Sequence, residues 1–298
     1  MMKRCFILFV IFLMLCGCKG NTYTDDSEKS TYPDSPAVTR DEILLSDFSY
    51  DNLDGGIVYL NYSQKSKGYI GVALKEEMEK KVKIRIIKDD MTYTYDVNGT
   101  TMKAIPLQMG DGTYTVKIFE QIEGDQYALI LTNDIGVYMD SEFSVYLYPN
   151  QIVDYDINSL VIDKSFEVTD GLTNDLDRIY SLFVYVLDLM TYDKQKAEYV
   201  KTVYVLPDLD EAITTGKGIC FDYASLLAAL CRIQHIPAKV IVGYTDIEYH
   251  AWCEIYLENE GWINPKVYFN AASWSLVDPT FADSGSDYTG RYDEVYHY

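Results

Sequence analysis

Hydrophobic spacing changes once along this chain, and the change divides it. Between about residues 48 and 148 the apolar residues come in short alternating runs, at 57–62, 69–74, 82–87, 91–95, 114–119, 126–132 and 143–148. A two-residue period is that of a strand with one face buried. Turn-forming pairs stand between the runs, among them Asp54-Gly55-Gly56, Asn98-Gly99, Gly110-Asp111-Gly112 and Gly124-Asp125. Short strands at this density, punctuated in this way, suggest a β-sandwich of immunoglobulin-like type over residues 42–150.

Near Leu172 the period lengthens. Leu176, Ile179, Tyr180, Phe183, Val184, Leu187 and Met190 recur at steps of three and four behind the capping candidates Thr173 and Asn174, which is the pattern of an amphipathic helix. A charged link with Lys194 and Lys196 follows, then a turn at Pro207-Asp208. A second domain, mixed in helix and strand, is expected over residues 155–298, and the fold class is α+β.

Residues 1–18 read as an export signal. Lys3 and Arg4 supply the positive end, and the apolar run over 5–15 is too short to span a bilayer comfortably. The run closes in Leu15-Cys16-Gly17-Cys18, which resembles the bacterial lipobox. That resemblance implies lipidation of Cys18 and a chain held at the outer face of the cell membrane. An ordinary cleaved signal or an uncleaved anchor would export the chain equally. Residues 19–41 are polar and lack periodicity, the composition of a flexible tether.

The net charge of -21 sets the chain against nucleic acid and anionic headgroups, which would repel it. A membrane contact is therefore expected through lipid and not through charge.

Of six cysteines, Cys5, Cys16 and Cys18 fall in the export segment, leaving Cys220, Cys231 and Cys253. An odd number leaves at least one thiol free. Gly216-Lys217-Gly218-Ile219 precedes Cys220, and an alanine- and leucine-rich helix follows it. A cysteine at a helix N-terminus meets unpaired N–H groups and the positive end of the dipole, which favour the thiolate. The same donors can hold the oxyanion formed when that thiolate attacks a carbonyl.

Tyr249-His250-Ala251-Trp252-Cys253-Glu254-Ile255 reads as a strand in which His250, Trp252 and Glu254 share one face and Ala251, Cys253 and Ile255 the other. Cys253 thus points away from His250, and Cys231 has helical spacing from Leu227 and Ala228, which suits core. Asp278 ends a run at 274–278 where Pro279 stops strand pairing. Cys220 as nucleophile, His250 as base and Asp278 as orienting carboxylate make an acyl-transfer set. Tyr204 and Trp252 are candidates for a second oxyanion donor or for substrate contact.

The motifs GKGICFDYA, YHAWCEIY and LVDPTF, in that order, resemble the transglutaminase-like superfamily over roughly residues 170–283. The resemblance implies a papain-like core, with the cysteine helix packed on an antiparallel sheet that carries His250 and Asp278. It also implies a protein or peptide substrate, with water or an amine as acceptor. Cys253 departs from the polar residue common after the histidine–tryptophan pair. No cofactor is required by such chemistry, and the spacing of His and Cys supports no metal site; Asp287, Asp293 and Glu294 could at most form a loose calcium site. The remaining histidines have bland readings, His235 at a helix end and His297 in an acidic, tyrosine-rich tail. The rival expectation is a surface binding module, in which the sandwich recognises a protein or glycan and the second domain is a scaffold.

Overall fold

A computed structural model describes residues 32–49, 51–245, 249–265 and 292–298. The export segment with Cys18, the start of the tether, and Asp278 with its run at 274–278 lie outside the described residues.

The first part is built from β1 (Leu53–Asp54), β2 (Val58–Asn61), β3 (Tyr69–Leu74), β4 (Val82–Lys88), β5 (Met91–Val97), β6 (Lys103–Pro106), β7 (Gly112–Glu123) and β8 (Gln126–Val137). They form two antiparallel sheets, ordered β1-β2-β3-β6 and β5-β4-β7-β8. Alternate residues of both sheets meet in one core, Val58, Leu60, Ile70 and Val72 from the first and Ile84, Ile86, Val116 and Ile118 from the second. This burial is what the two-residue period encodes.

Two departures from the expected strands have physical reasons. The run at 143–148 forms a buried 3-10 turn, Ser144–Tyr146, closed by the bonds Ser144 N–H to Ser141, Tyr146 N–H to Phe143 and Leu147 N–H to Ser144. Its apolar residues are buried by close packing: a Cβ on Gly68 would stand 2.8 Å from the Val145 Cα. Strand β6 was not expected because it is short and ends in Pro106, a residue that only an edge strand tolerates; β6 is such an edge, paired to β3.

The second part opens with α1 (Leu160–Thr169) and α2 (Asp175–Leu189). Asn174 caps α2 by accepting the Asp177 N–H, while Thr173 turns its hydroxyl to Asp34. Then come β9 (Thr191–Tyr192), α3 (Lys194–Tyr199), α4 (Leu209–Thr215), β10 (Lys217–Gly218) and α5 (Cys220–Ile233). The supposed charged link is thus largely helical and the Pro207-Asp208 turn leads straight into a helix, with Asp193 capping α3 and Asp208 capping α4. The chain continues as β11 (Ala238–Thr245), β12 (Tyr249–Leu257), β13 (Gly261–Ile263) and β14 (Tyr292–His297). These last four make an antiparallel sheet ordered β13-β12-β11-β14.

Helix α5 is the centre of this part. It packs on β11 and β12 and against α1, α2 and α4, and Leu226, Ala228, Ala229, Leu230, Cys231 and Ile233 are wholly inside. Arg232 is also fully buried and binds main-chain oxygens of Ala238, Tyr148 and Tyr298. It thereby ties the exit of the sandwich to the second core. The segment from residue 32 onward, expected as the end of the tether, is held down: Ser35 bonds Thr173, Asp175 and Arg178, and Ile43 and Leu45 pack on the second core. Among the described residues no helix is long and apolar enough to cross a membrane.

Candidate active site

Cys220 is the first residue of α5, half-buried and unbridged. Its neighbours explain why the helix starts there. Gly216 ends α4 in the left-handed conformation, φ 63°, and β9 and β10 then pair in parallel, with Asp193 N–H bonded to Gly218 O. This pins the loop before the cysteine. Ile219, the cap residue, has no side-chain oxygen to offer, so the capping comes from inside the helix: Asp222 Oδ2 accepts the Ile219 N–H at 2.8 Å. The other carboxylate oxygen takes the Lys196 ammonium at 2.8 Å. Gly218 makes room for the fold-back, since a Cβ there would stand 2.6 Å from both the Asp222 Cβ and the Met190 Cε. The Cys220 N–H, by contrast, has no acceptor among the described residues and is free to donate to a developing anion.

The turn from α5 into β11 is tight, with Ile236 N–H bonded to Cys231 O, so β11 runs back along the helix. Helix α5 descends roughly 20 Å from Cys220 to Ile233 at 1.5 Å per residue. From Ala238 to Gly243 the strand climbs roughly 17 Å. His250 stands opposite Gly243 in the β11–β12 ladder and therefore lies at the same end of the layer as Cys220. It is the second residue of β12, at the rim of the sheet, and is buried.

Alternation along β12 follows the expected pattern. Ala251, Cys253 and Ile255 enter the core under α5, whereas Trp252 meets the Tyr292 ring at 5.0 Å and Glu254 pairs with Lys239 at 3.4 Å. His250 shares the Trp252 side. Burial pushes the Cys231 and Cys253 thiols well above the usual range, so neither supplies a thiolate at neutral pH. Tyr204 lies in the loop between α3 and α4, exposed and within electrostatic reach of Tyr249 and Asp96. Trp252, in contrast, is buried against β14.

Neither of the other histidines belongs to this end. His235 takes a positive φ of 57° and its Nε2 pairs with Glu42 O at 2.7 Å. His297 lies on β14 between Glu294 and the Gln108 carbonyl. Lys196 and Asp222 escaped sequence reasoning. A carboxylate three residues after a cap is a known helix-start signal, but Ile219 disguises the cap and Lys196 is 26 residues distant from Asp222.

Residues 162–279, from within α1 to the proline after Asp278, match the family model described as the transglutaminase-like superfamily. The second part of this chain is similar to that family over this span. The uncharacterized protein YebA of Bacillus subtilis (strain 168) is 23% identical to the chain, over 67% of the chain and 30% of its own length. The chain thus spans less than a third of that relative. Among solved structures, a candidate cysteine protease from Cytophaga hutchinsonii aligns at 16% identity and a TM-score of 0.37, covering 63% of this chain and 66% of that one. Red sea bream transglutaminase aligns at 11% identity and a TM-score of 0.31, covering 66% of this chain and 48% of its own. The matched span includes Cys220 and His250 on described elements, and Asp278 beyond them.

Proposed function

We propose that this chain is an exported cysteine enzyme that transfers the acyl group of a peptide or amide bond through a thioester on Cys220. The observation that carries the reading is the free, half-buried thiol at the N-terminus of α5, at the end of the layer that His250 also occupies. In the proposed cycle His250 takes the thiol proton, and the thiolate attacks the substrate carbonyl. The C–N bond then breaks as the imidazolium returns that proton to the leaving amine. Water, or a second amine, attacks the thioester and restores the thiol. Asp278 holds the imidazole tautomer in this scheme, the Cys220 N–H donates to the oxyanion, and Tyr204, on the open side near Tyr249, is the candidate second donor. Trp252 is assigned to support of the histidine strand, because it is buried against Tyr292.

Hydrolysis is favoured, since water is the acceptor wherever a site does not exclude it. The first part is read as an immunoglobulin-like sandwich: β3 pairs with β6 and β4 with β7, the long-range pairings of a Greek key. It would space the enzyme from a membrane to which Cys18 anchors it by lipid, on the extracellular face, with a protein or peptide as partner.

The test is intact-protein mass spectrometry of the part after the export segment, wild type and Cys220→Ala, with a probe that traps thioester-forming cysteines and with casein plus an amine. A Cys220-dependent adduct with casein cleavage supports the hydrolase, and amine incorporation the transglutaminase. No adduct in the wild type overturns the enzyme reading and leaves the binding module.

A further inference from the structure

Asp222 poses an electrostatic problem. It is 1% exposed and sits two residues from Cys220 in the first turn of α5, at the same helix N-terminus that would stabilise a thiolate. A helix start welcomes one anion; two anions there repel, and a buried carboxylate raises the pKa of a neighbouring thiol. The carboxylate is nevertheless required by the geometry. It holds the Ile219 N–H at 2.8 Å, and Gly218 is bare where the Asp222 side chain folds back.

Lys196 resolves the conflict. Its ammonium reaches across from α3 to the second oxygen of Asp222 at 2.8 Å, with its side chain only 20% exposed. The other charged groups bordering this turn do not substitute for it. Asp193 caps α3 and Asp210 accepts the Leu160 N–H; Asp188, Glu211 and Lys217 are exposed; Tyr249 and His250 are the titratable groups on β12 at this end.

We infer that Lys196 and Asp222 are positioning residues for Cys220, the carboxylate fixing the peptide ahead of the cysteine and the ammonium cancelling the charge that would otherwise oppose the thiolate. This rests on the reading of Cys220 as nucleophile, and the test separates the two.

The pH profile of Cys220 alkylation by iodoacetamide is measured, with the labelled cysteine identified by peptide mass spectrometry and folding of each variant checked by circular dichroism. Lys196→Met exposes the thiol to an uncompensated carboxylate, so the profile midpoint rises by about one unit and the neutral-pH rate falls about tenfold. Lys196→Arg keeps the charge and stays within about twofold of wild type. The pair Lys196→Met with Asp222→Asn removes both charges and recovers most of the rate despite a less stable fold, which a purely structural role would not allow. An unchanged midpoint in Lys196→Met, or no recovery in the folded double variant, overturns the inference. The nucleophile reading fails separately, if wild-type Cys220 titrates like a model thiol and His250→Ala does not alter it; the shift on Lys196→Met is a difference and is read in either case.

Discussion

Replacing Arg232 by methionine tests how the two parts of the chain are joined. The guanidinium is fully buried and makes four bonds to main-chain oxygens: Nε and Nη2 to Ala238 at 3.0 and 2.8 Å, Nη1 to Tyr148 at 2.8 Å and Nη2 to Tyr298 at 2.9 Å. Methionine fills a similar length without donors, leaving the Ala238 and Tyr148 carbonyls unpaired, while the Tyr298 carbonyl keeps the Val240 N–H. At about 2 kcal/mol for each orphaned group the loss is about 4 kcal/mol. Against this stands the cost of burying the charge, which holds the Arg232 pKa down at about 10, from 12.5. That shift corresponds to about 3 kcal/mol, which the variant recovers. The net expectation is a destabilisation of about 1 kcal/mol, read as a lowered urea midpoint by circular dichroism. A base with a depressed folded pKa is protonated in both states below about pH 10, so the deficit should be flat across neutral pH and grow only above it, where the wild type gains. Hydrogen exchange should quicken first at Val240 and Tyr298, whose mutual main-chain bonds at 2.9 and 2.8 Å lie beside the guanidinium. A variant as stable as wild type would refute the reasoning, since burial cost would then match the bonds.

Gly218→Ala places a methyl 2.6 Å from the Asp222 and Met190 side chains; a loss of about 1–3 kcal/mol, measured by thermal melting, should accompany slower alkylation of Cys220. Gly243→Ala drives a methyl into the Asp293 carbonyl, so β14 should detach and limited proteolysis should cut near the C-terminal end of the described chain while α5 stays protected. The buried tyrosines give an alkaline limit: burial pushes Tyr93 up to about 12 and raises Tyr69, Tyr114 and Tyr298 as well. Acids whose folded pKa is raised contribute stability that is full below about pH 10 and is lost as pH climbs from 10 through the folded values; tyrosinate absorbance should therefore rise together with loss of ellipticity, and independent titration of these rings in the intact fold would contradict their burial.

Legibility followed the size of the physical signal. Alternation exposed most of the long strands of the sandwich, and the stretch from Gly216 to Tyr244 was read correctly because a glycine-bracketed start, a long apolar helix and a β-branched strand are three agreeing signals. Helices α3 and α4 were lost because their lengths are short and their residues largely polar, so that α3 read as a charged link and Asp208, the cap of α4, as turn chemistry. The run at 143–148 misled because its apolar residues are buried by tertiary contact, Val145 on Gly68 and Tyr146 on Trp262, and not by strand pairing. Strand β14 was hidden in an acidic tail, where a sheet edge beside Gly243 decides its conformation and local propensity does not. In the site, the cysteine and histidine motifs announce themselves by sequence, whereas Lys196 is a product of folding, a lysine whose importance exists only where Asp222 is buried.

The two ends of α5 carry opposite solutions to the same difficulty. At the end near Ile233 a cation, Arg232, is sunk among carbonyl oxygens with no carboxylate partner among the described residues, a choice that complements the negative end of the helix dipole and joins the segments around Tyr148, Ala238 and Tyr298. At the Cys220 end an anion, Asp222, is sunk where the dipole is positive, but there the helix must also serve a second negative charge when the thiol ionises. A dipole can favour both anions individually and still leave them repelling each other. The lysine from α3 therefore does what the dipole alone does not, and the asymmetry follows: loss of Arg232 should cost stability and leave the thiol's pH profile in place, whereas loss of Lys196 should move the pH profile by more than stability alone explains.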